Sequence, residues 1–329
     1  DVVASVAEAC DSRNVPHPII VTESGRALVA HHSMLVFDVL GTNENLVAGE
    51  PEQPPDDAPN TVKELYETWT SISRRNLLEP YHDAIECRDQ AAQAFQLGFL
   101  DLRWRARVDE LFFACCTKLQ RVVADAPRVP EELEELERAL ADTYFCNFSV
   151  FQSLPDSWAV SQLFPIMPLH RLDEKPTRKA TLADLTCDSD GKVDSFIDLH
   201  DVRRVIDLHR PNGEAYHLGV FLIGAYQEIL GDLHNLLGDT HAVYVSLAGD
   251  RYRVDHVEGG DTVSDVLGYV EYDRRDLLGR VRRACEEALW EKTITPRETA
   301  LLLKRYEEGL NAYTYLVQSG ADDSAEPTS

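Results

Sequence analysis

Long apolar runs and an excess of basic residues are both missing from this sequence of 329 residues. No run of about 18 apolar residues occurs, so we expect no membrane-spanning helix. Only 32 lysines and arginines stand against 57 aspartates and glutamates, which gives a formal net charge of −25. A chain this acidic repels nucleic-acid backbones and anionic lipid. We therefore expect neither nucleic acid nor a membrane as a partner.

Paired cysteine motifs are absent as well, although the chain contains seven cysteines. No Cys-X-X-Cys or Cys/His spacing indicates a zinc site. Most of these cysteines fall within apolar helical patterns, which is typical of reduced thiols in a cytoplasmic protein. The chain starts without a methionine or the basic segment of a signal peptide. We therefore expect that it was cut from a longer protein.

Helix and strand signals alternate near the start of the chain. Residues 1–12 predict a helix, and the apolar run at 19–22 predicts a short strand. A helix followed by a buried strand is the repeating unit of an α/β barrel or a doubly wound sheet. We therefore interpret residues 1–33 as the C-terminal end of an α/β barrel. Residues 34–46 predict the first strand of a β domain.

The middle of the chain changes from a linker to a helical segment. Residues 47–60 contain prolines among acidic residues and predict a linker. From 61 to 145 the apolar spacing is helical, and Val62 and Leu65, for example, share one helix face. The pattern predicts an inserted helical bundle, with one helix beginning at Pro130.

Strands return after the helical segment. Residues 146–272 predict a C-terminal β domain, with strands at 180–186, 217–224, 241–247 and 251–257, the last two forming a hairpin. Residues 273–316 predict a C-terminal helical extension, and 317–329 predict a disordered tail. The predicted fold class is thus α/β plus all-β, with a helical insertion.

A first polar segment, residues 23–26, follows the predicted strand at 19–22. Arg26 offers a bidentate fork to a phosphate, and Gly25 lets the backbone come close. The Glu23 carboxylate could keep a heteroaromatic nitrogen protonated. A surface salt bridge is the alternative interpretation.

A second polar segment, residues 186–191, forms a predicted tight turn that contains a thiol and two carboxylates. Cys187, Asp188 and Asp190 could bind a cation or provide a nucleophile or proton donor beside an amine substrate. The spacing of Asp188, Asp190 and Gly191 matches part of a calcium loop, but the other ligands are missing, so we predict no metal site. A polar β-turn is the alternative interpretation.

A third segment, residues 224–227, brings a tyrosine to the end of the predicted strand at 217–224. The Tyr226 hydroxyl could contact a phosphate, although a tyrosine at the edge of the core is the alternative. His31 and His32 favour a turn or a strand edge over a metal site. The residues around His234 favour a loop.

In this order, and with a helical insertion between the first and the second, the three segments resemble the biosynthetic arginine decarboxylases of the alanine-racemase-like class. The resemblance runs from about residue 16 to residue 316. Besides the three segments, it includes the strings at 147–153, 162–165, 234–236, 260–263 and 313–316.

The resemblance implies a fold with a (β/α)8 barrel that binds pyridoxal 5′-phosphate (PLP), an inserted helical bundle, a C-terminal β-barrel-like domain and terminal helices. It implies decarboxylation of L-arginine to agmatine, in polyamine biosynthesis and arginine catabolism, in the cytoplasm. PLP is the implied cofactor, and the resemblance also raises Mg²⁺ as a second one. The implied assembly is a homodimer with shared active sites, which associates into a tetramer.

The resemblance also implies roles for the residues that bind the cofactor. Glu23 matches the acid that pairs with the pyridine nitrogen of PLP. Arg26, with its neighbour Gly25, and Tyr226 match the residues that contact the phosphate. The lysine that holds PLP has no match in this sequence, so we expect the chain alone to be inactive.

The catalytic and substrate-binding roles are implied in the same way. Cys187 and Asp188 match the pair that reaches across a dimer interface into the partner's site. There the cysteine protonates the α-carbon after CO2 leaves, and the aspartate contacts the cationic end of the substrate. Asp190 and Ser161 are further substrate-binding candidates, although Ser161 stands where many relatives carry an aspartate.

Two alternatives to arginine decarboxylation stay open at this point. A PLP decarboxylase of another basic amino acid, such as ornithine, lysine or diaminopimelate, would carry similar segments. A non-catalytic homologue that pairs with and regulates a decarboxylase is the second alternative. Intact Glu23, Arg26, Cys187 and Asp188 argue against it.

Overall fold

The computed structural model describes residues 1–45, 49–124, 134–199 and 202–317. Its helices are α1 (Val2–Ser12), α2 (Gly25–Val29), α3 (Asn60–Ser71), α4 (Leu78–Gln96), α5 (Leu102–Ala124), α6 (Glu134–Ala139), α7 (Val150–Ser153), α8 (Pro155–Val160), α9 (Val263–Tyr269), α10 (Arg274–Trp290) and α11 (Pro296–Leu310). Its strands are β1 (Met34–Asn43), β2 (Asp142–Cys146), β3 (Ile166–Pro168), β4 (Arg178–Ala183), β5 (Lys192–Val193), β6 (Phe196–Ile197), β7 (Val202–Arg203), β8 (Ile206–Leu208), β9 (His217–Phe221), β10 (Ala242–Ala248) and β11 (Arg251–Glu258). The predicted helix start at Pro130 and the predicted tail after Val317 lie outside the described residues.

The main sheet has seven strands in the order β3-β9-β1-β2-β4-β5, with β8 paired to β4. Both β9 and β2 run antiparallel to β1, and β4 runs parallel to β2. Strands β4 and β9 therefore point the same way. Two of the three predicted site segments come directly after these two strands. Because the strands are parallel, both site segments begin at the same end of the strands.

The core of the sheet is apolar and tightly packed. Leu35 and Phe37 of β1 are buried and alternate with more exposed neighbours, as expected for a strand with one face on a core. The Phe37 ring stacks on that of Phe148, with centroids 4.2 Å apart. Tyr144 of β2 is fully buried in the same core.

A separate hydrophobic core holds α3, α4 and α5 together, as the helical spacing predicted. Val62 and Leu65 of α3 and Leu111 and Leu119 of α5 are completely buried in it. Helical structure nevertheless ends earlier than the predicted bundle boundary at 145. The segment 142–146 forms β2, because its backbone pairs with the neighbouring strands β1 and β4.

The C-terminal region matches the predicted hairpin and helices. Strands β10 and β11 pair through to Ala248 opposite Arg251, so Gly249 and Asp250 form a two-residue turn. Gly249 has a φ of +69°, which a glycine adopts without strain. Helices α9 and α11 both start with capping boxes, at Thr262 and Thr295.

The predicted strand at 19–22 is wrong. Residues 15–24 have no regular secondary structure, and the side chains of Ile19 and Val21 are 93% and 87% exposed. The composition favours a strand, but a strand is stabilised only when a neighbour pairs with it. None of the described strands pairs with these residues. The sheet and the helical bundle are both present, so the predicted fold class is confirmed at the level of an α and β protein with a helical bundle.

Among the described residues, no helix is both long and apolar enough to cross a membrane.

Candidate functional site

Three segments that are distant in sequence meet around the carboxylate of Asp156. Arg26, in the first turn of α2, donates a hydrogen bond from Nη2 to Asp156 Oδ2 over 2.7 Å. Gln227 donates from Nε2 to the same oxygen over 2.8 Å, and its Oε1 accepts from the Asp156 backbone N–H. The carboxylate thus joins two of the predicted site segments, 23–26 and 224–227. Sequence reasoning missed Asp156, which shows only as an acid in the first turn of α8.

Tyr226 lies against the same group. The Arg26 guanidinium carbon is 5.2 Å from the centre of the Tyr226 ring. A Cβ on Gly25 would lie 3.3 Å from the Tyr226 hydroxyl oxygen, so the glycine allows this close approach. Glu23 is exposed two residues before Gly25. The structure therefore brings Gly25, Arg26 and Tyr226 together, whereas Glu23 is their neighbour in sequence.

Electrostatics keep Asp156 ionised. Burial by itself raises the pKa of the Asp156 carboxyl, but the hydrogen bonds from Arg26 and Gln227 outweigh it and lower the pKa below its ordinary value. The Arg26 Nη1 atom is buried and has no hydrogen-bond partner in the described structure. Buried guanidinium donors are seldom without a partner. The Arg26 Nη1 atom therefore indicates a place where a bound group would supply a hydrogen-bond acceptor.

The predicted catalytic segment is a tight turn after β4. The Asp190 backbone N–H donates to Asp188 Oδ1 over 2.9 Å, and the Gly191 N–H donates to the Asp188 carbonyl oxygen. Behind the turn, Asp184 accepts hydrogen bonds from the Thr186 backbone and hydroxyl. A Cβ on Gly191 would collide with these two side chains. Gly191 is therefore needed for the turn to close.

Two further residues, Asn235 and His234, contact this turn. The Cys187 N–H donates to Asn235 Oδ1 over 3.3 Å, and Asn235 Nδ2 lies 3.5 Å from the Cys187 Sγ atom. His234 Nε2 lies 3.6 Å from Asp188 Oδ2. The string at 234–236 gave a sequence signal for this neighbourhood but not for these contacts.

The thiols differ sharply in exposure. Cys187 is exposed, whereas Cys115, Cys116 and Cys146 are buried. Burial raises the pKa of the Cys116 thiol to about 12, even beside Arg88. Of these thiols, only that of Cys187 is accessible for proton transfer to a substrate.

Ser161 and Asp190 are the two further residues predicted to bind the substrate. Ser161 is exposed and ends α8 in the left-handed region, at a φ of 56°. The Asp190 backbone closes the turn, and its side chain is exposed. Their assignment as substrate-binding residues stays a prediction.

No group of three or more histidine, cysteine, aspartate or glutamate side chains within the described ranges could hold a metal ion. His31 and His32 form part of a short 3-10 helix, and His32 Nδ1 contacts the Val29 carbonyl oxygen at 2.5 Å. The structure therefore offers no ligand set for Mg²⁺ among these residues.

Comparison with known proteins first defines a class. The model of the arginine decarboxylase helical bundle domain matches residues 55–137. The model of the arginine decarboxylase C-terminal helical extension matches residues 263–316. These two regions contain the bundle helices α3–α5 and the terminal helices α9–α11.

Curated relatives and a solved structure extend the similarity to almost the whole chain. The chain is 53% identical over 323 residues to the biosynthetic arginine decarboxylase of Gloeobacter violaceus, which covers 96% of this chain and 50% of that protein. It is 49% identical over 318 residues to that of a Nostoc species, covering 96% of this chain and 46% of the relative. The crystal structure of the biosynthetic arginine decarboxylase from Campylobacter jejuni superposes with a TM-score of 0.74 at 30% identity, over 96% of this chain and 51% of that one.

Almost the whole chain is therefore similar to biosynthetic arginine decarboxylases. It spans about half the length of the curated relatives it matches.

Proposed function

We propose that this chain is the C-terminal half of a PLP-dependent arginine decarboxylase, which converts L-arginine to agmatine and CO2. The observation that carries the proposal is the 53% identity over 323 residues to a biosynthetic arginine decarboxylase. The exposed thiol of Cys187 and the cluster around Arg26 support it, because both are groups that such a reaction uses.

The residues around Arg26 fit a phosphorylated cofactor. The buried Arg26 Nη1 has no partner in the described structure, and the Tyr226 hydroxyl lies close to Gly25. Two donors beside a glycine suit the oxygens of a phosphate ester. When bound, PLP supplies an electron sink for the electron pair that CO2 leaves behind.

The chain's own residues then divide the remaining tasks. Arg26 and Tyr226 bind the phosphate, and Gly25 leaves room for it. Glu23 holds a proton on the ring nitrogen, which keeps the ring electron-poor. Cys187 delivers a proton to the α-carbon.

The cationic end of the substrate needs an anionic partner. Asp188 is the charged group beside Cys187 and binds the guanidinium of arginine, with Asp190 and Ser161 as further contacts. His234 Nε2 lies 3.6 Å from the Asp188 carboxylate and limits its movement.

The different contacts of the two groups of residues support a proposed assembly. Cys187 and Asp188 contact Asn235 and His234, whereas Arg26 contacts Asp156 and Tyr226. We therefore propose a homodimer in which the Cys187 turn completes the partner's site, and association of dimers into a tetramer. The predicted domain division, the completion of the (β/α)8 barrel by further chain, the role in polyamine biosynthesis and the cytoplasmic location belong to the same proposal.

Agmatine formation tests the proposed function. L-Arginine and PLP are supplied to the chain alone and to the chain extended to the length of its relatives. We expect agmatine from the extended protein only, since the chain contains no match for the PLP lysine. The Glu23→Gln variant should lose most of this activity, whereas Glu286→Gln on the exposed face of α10 should not.

Other outcomes point to the alternatives. Activity of the extended protein on ornithine, lysine or diaminopimelate, without activity on arginine, would change the substrate. Absence of activity on all four, together with faster turnover of an active decarboxylase when this protein is added, would support a regulatory role.

A further inference from the structure

We infer that Asp156 is a positioning residue, whose carboxylate fixes Arg26 and the Tyr226 loop in the arrangement that binds the phosphate of the cofactor. The inference rests on the proposed function and adds a residue to it that the sequence motifs do not contain.

The first support is that one carboxylate oxygen holds both sides of the site. Asp156 Oδ2 accepts from Arg26 Nη2 at 2.7 Å and from Gln227 Nε2 at 2.8 Å. The partners are 130 and 71 residues away in sequence. The side chain of Asp156 is only 13% exposed, so water competes little for these bonds.

The second support is the conformation of the loop that Gln227 anchors. Gln227 is 1% exposed and also donates from Nε2 to the Ala225 carbonyl oxygen at 2.9 Å. Tyr226, between these two residues, has a φ of +72°, which is costly for a residue with a side chain. The Gln227 side chain thus bonds the Ala225 carbonyl on one side of Tyr226 and the Asp156 carboxylate, which together hold the loop in this conformation.

The third support is the direction that the pairing gives to Arg26. Because Nη2 is bound to Asp156, the planar guanidinium has a fixed orientation, and Nη1 is left buried without a partner in the described structure. A guanidinium fixed on one side by a carboxylate presents its remaining donors to an anion in one direction. Preorganised donors bind a phosphate better than donors that must first be ordered.

Charge neutralisation is the competing explanation, and it predicts the opposite change in phosphate affinity when Asp156 is replaced. If Asp156 only balanced the charge of Arg26, then its removal would leave a stronger positive field and tighten phosphate binding. If Asp156 positions Arg26 and Tyr226, its removal weakens phosphate binding although the site becomes more positive. The direction of the change therefore distinguishes the two roles.

The experiment compares PLP with pyridoxal, which lacks the phosphate. Dissociation constants of both are measured from their absorbance changes with the chain extended to the length of its relatives, as wild type and as Asp156→Asn. We expect the variant to bind PLP about 10- to 100-fold more weakly and to bind pyridoxal nearly as well as wild type. Asp207→Asn is the matched control, because Asp207 is also an ion-paired carboxylate, held by Lys179 and Arg203, in β8.

Each outcome decides the inference. A loss confined to PLP, absent in Asp207→Asn, supports positioning. Equal losses for PLP and pyridoxal, unchanged binding or tighter PLP binding in Asp156→Asn would overturn it while leaving the proposed function intact. If the wild-type protein shows no preference for PLP over pyridoxal, both the inference and the proposed function fail.

Discussion

Cys187 combines an exposed thiol with two polar neighbours. Its backbone and thiol contact Asn235, and the adjacent Asp188 carboxylate faces His234. A thiol placed on a tight turn in this way can approach a substrate atom without a change in the fold. The buried cysteines of the helical bundle lack this access.

We predict that Cys187→Ser lowers the rate of agmatine formation by about 100-fold, because a serine hydroxyl is a much weaker acid than a thiol. The melting temperature should stay within about a degree of wild type, since exposed side chains contribute little to stability. Steady-state kinetics and thermal unfolding of the extended protein check both parts. Cys285→Ser, at a buried cysteine of α10, should reverse the pattern by lowering stability more than the rate.

Asp239 is an acid in an unfavourable environment. Burial raises the pKa of its carboxyl, and Asp261, Glu228 and Glu258 raise it further. Gln152 donates one hydrogen bond to Asp239 Oδ1. Because the folded-state pKa lies above the ordinary value of 3.8, the ionised form opposes folding at neutral pH.

We therefore expect Asp239→Asn to raise the melting temperature at pH 7. The gain should disappear as the pH falls through the folded pKa towards 3.8, because the wild-type carboxyl is then protonated. Melting curves from pH 7 down to about pH 2.5 measure this. Asp265→Asn is the control of opposite sign, since hydrogen bonds from Thr262 lower the pKa of Asp265. The Asp265→Asn variant should be less stable than wild type by the full amount at pH 7. The difference should fade as the pH falls below 3.8, the ordinary pKa of the carboxyl, because the wild-type carboxylate is then protonated.

At the scale of secondary-structure elements, the turn after β4 determines where Cys187 and Asp188 lie. Asp184 at the end of the strand binds the Val150 and Thr186 backbones, and Gly191 packs directly against it. The turn is thus tied both to its own strand and to the start of α7.

We predict that Gly191→Ala displaces this turn and lowers agmatine formation at least about tenfold, since misplacing a catalytic group by about 1 Å is costly. Gly268→Ala is the control, because a Cβ on Gly268 in α9 meets no atom within 4 Å. It should leave the rate unchanged and raise stability by about 0.4–1 kcal/mol. Equal rates for the two variants would show that the turn is not part of the active site.

At the scale of the whole molecule, the two groups of site residues have separate partners within one chain. If each active site takes Glu23 from one subunit and Cys187 from the other, two inactive variants can complement each other. We predict that the Glu23→Gln and Cys187→Ser variants of the extended protein, mixed and refolded together, recover about one quarter of wild-type activity. Half of the dimers are then mixed, and each mixed dimer has one intact site out of two.

Mixing Glu23→Gln with Arg26→Ala provides the control for this complementation. Both changes fall in the same group of residues, so no mixed dimer has an intact site. An absence of recovery in the test mixture would place a complete site within each subunit. Recovery in the control would show that Glu23 and Arg26 of one site come from different subunits, which would contradict the proposed grouping.

The elements that depend on local pattern and local chemistry were predictable from the sequence. The spacing of Val62 and Leu65 and the turn at Gly249 were sufficient for the bundle and the hairpin, because helix faces and two-residue turns are specified by neighbouring residues. The motifs also identified Glu23, Arg26, Cys187, Asp188 and Tyr226 as candidates.

Tertiary structure alone decided which pairings form. The apolar run at 19–22 is not a strand because no described strand pairs with it, while residues 142–146 become one because β1 and β4 lie on either side. Asp156 likewise shows no signal in the sequence, and its role depends on hydrogen bonds to partners 130 and 71 residues away. Long-range pairing depends on how the whole chain packs, and local sequence patterns do not record it.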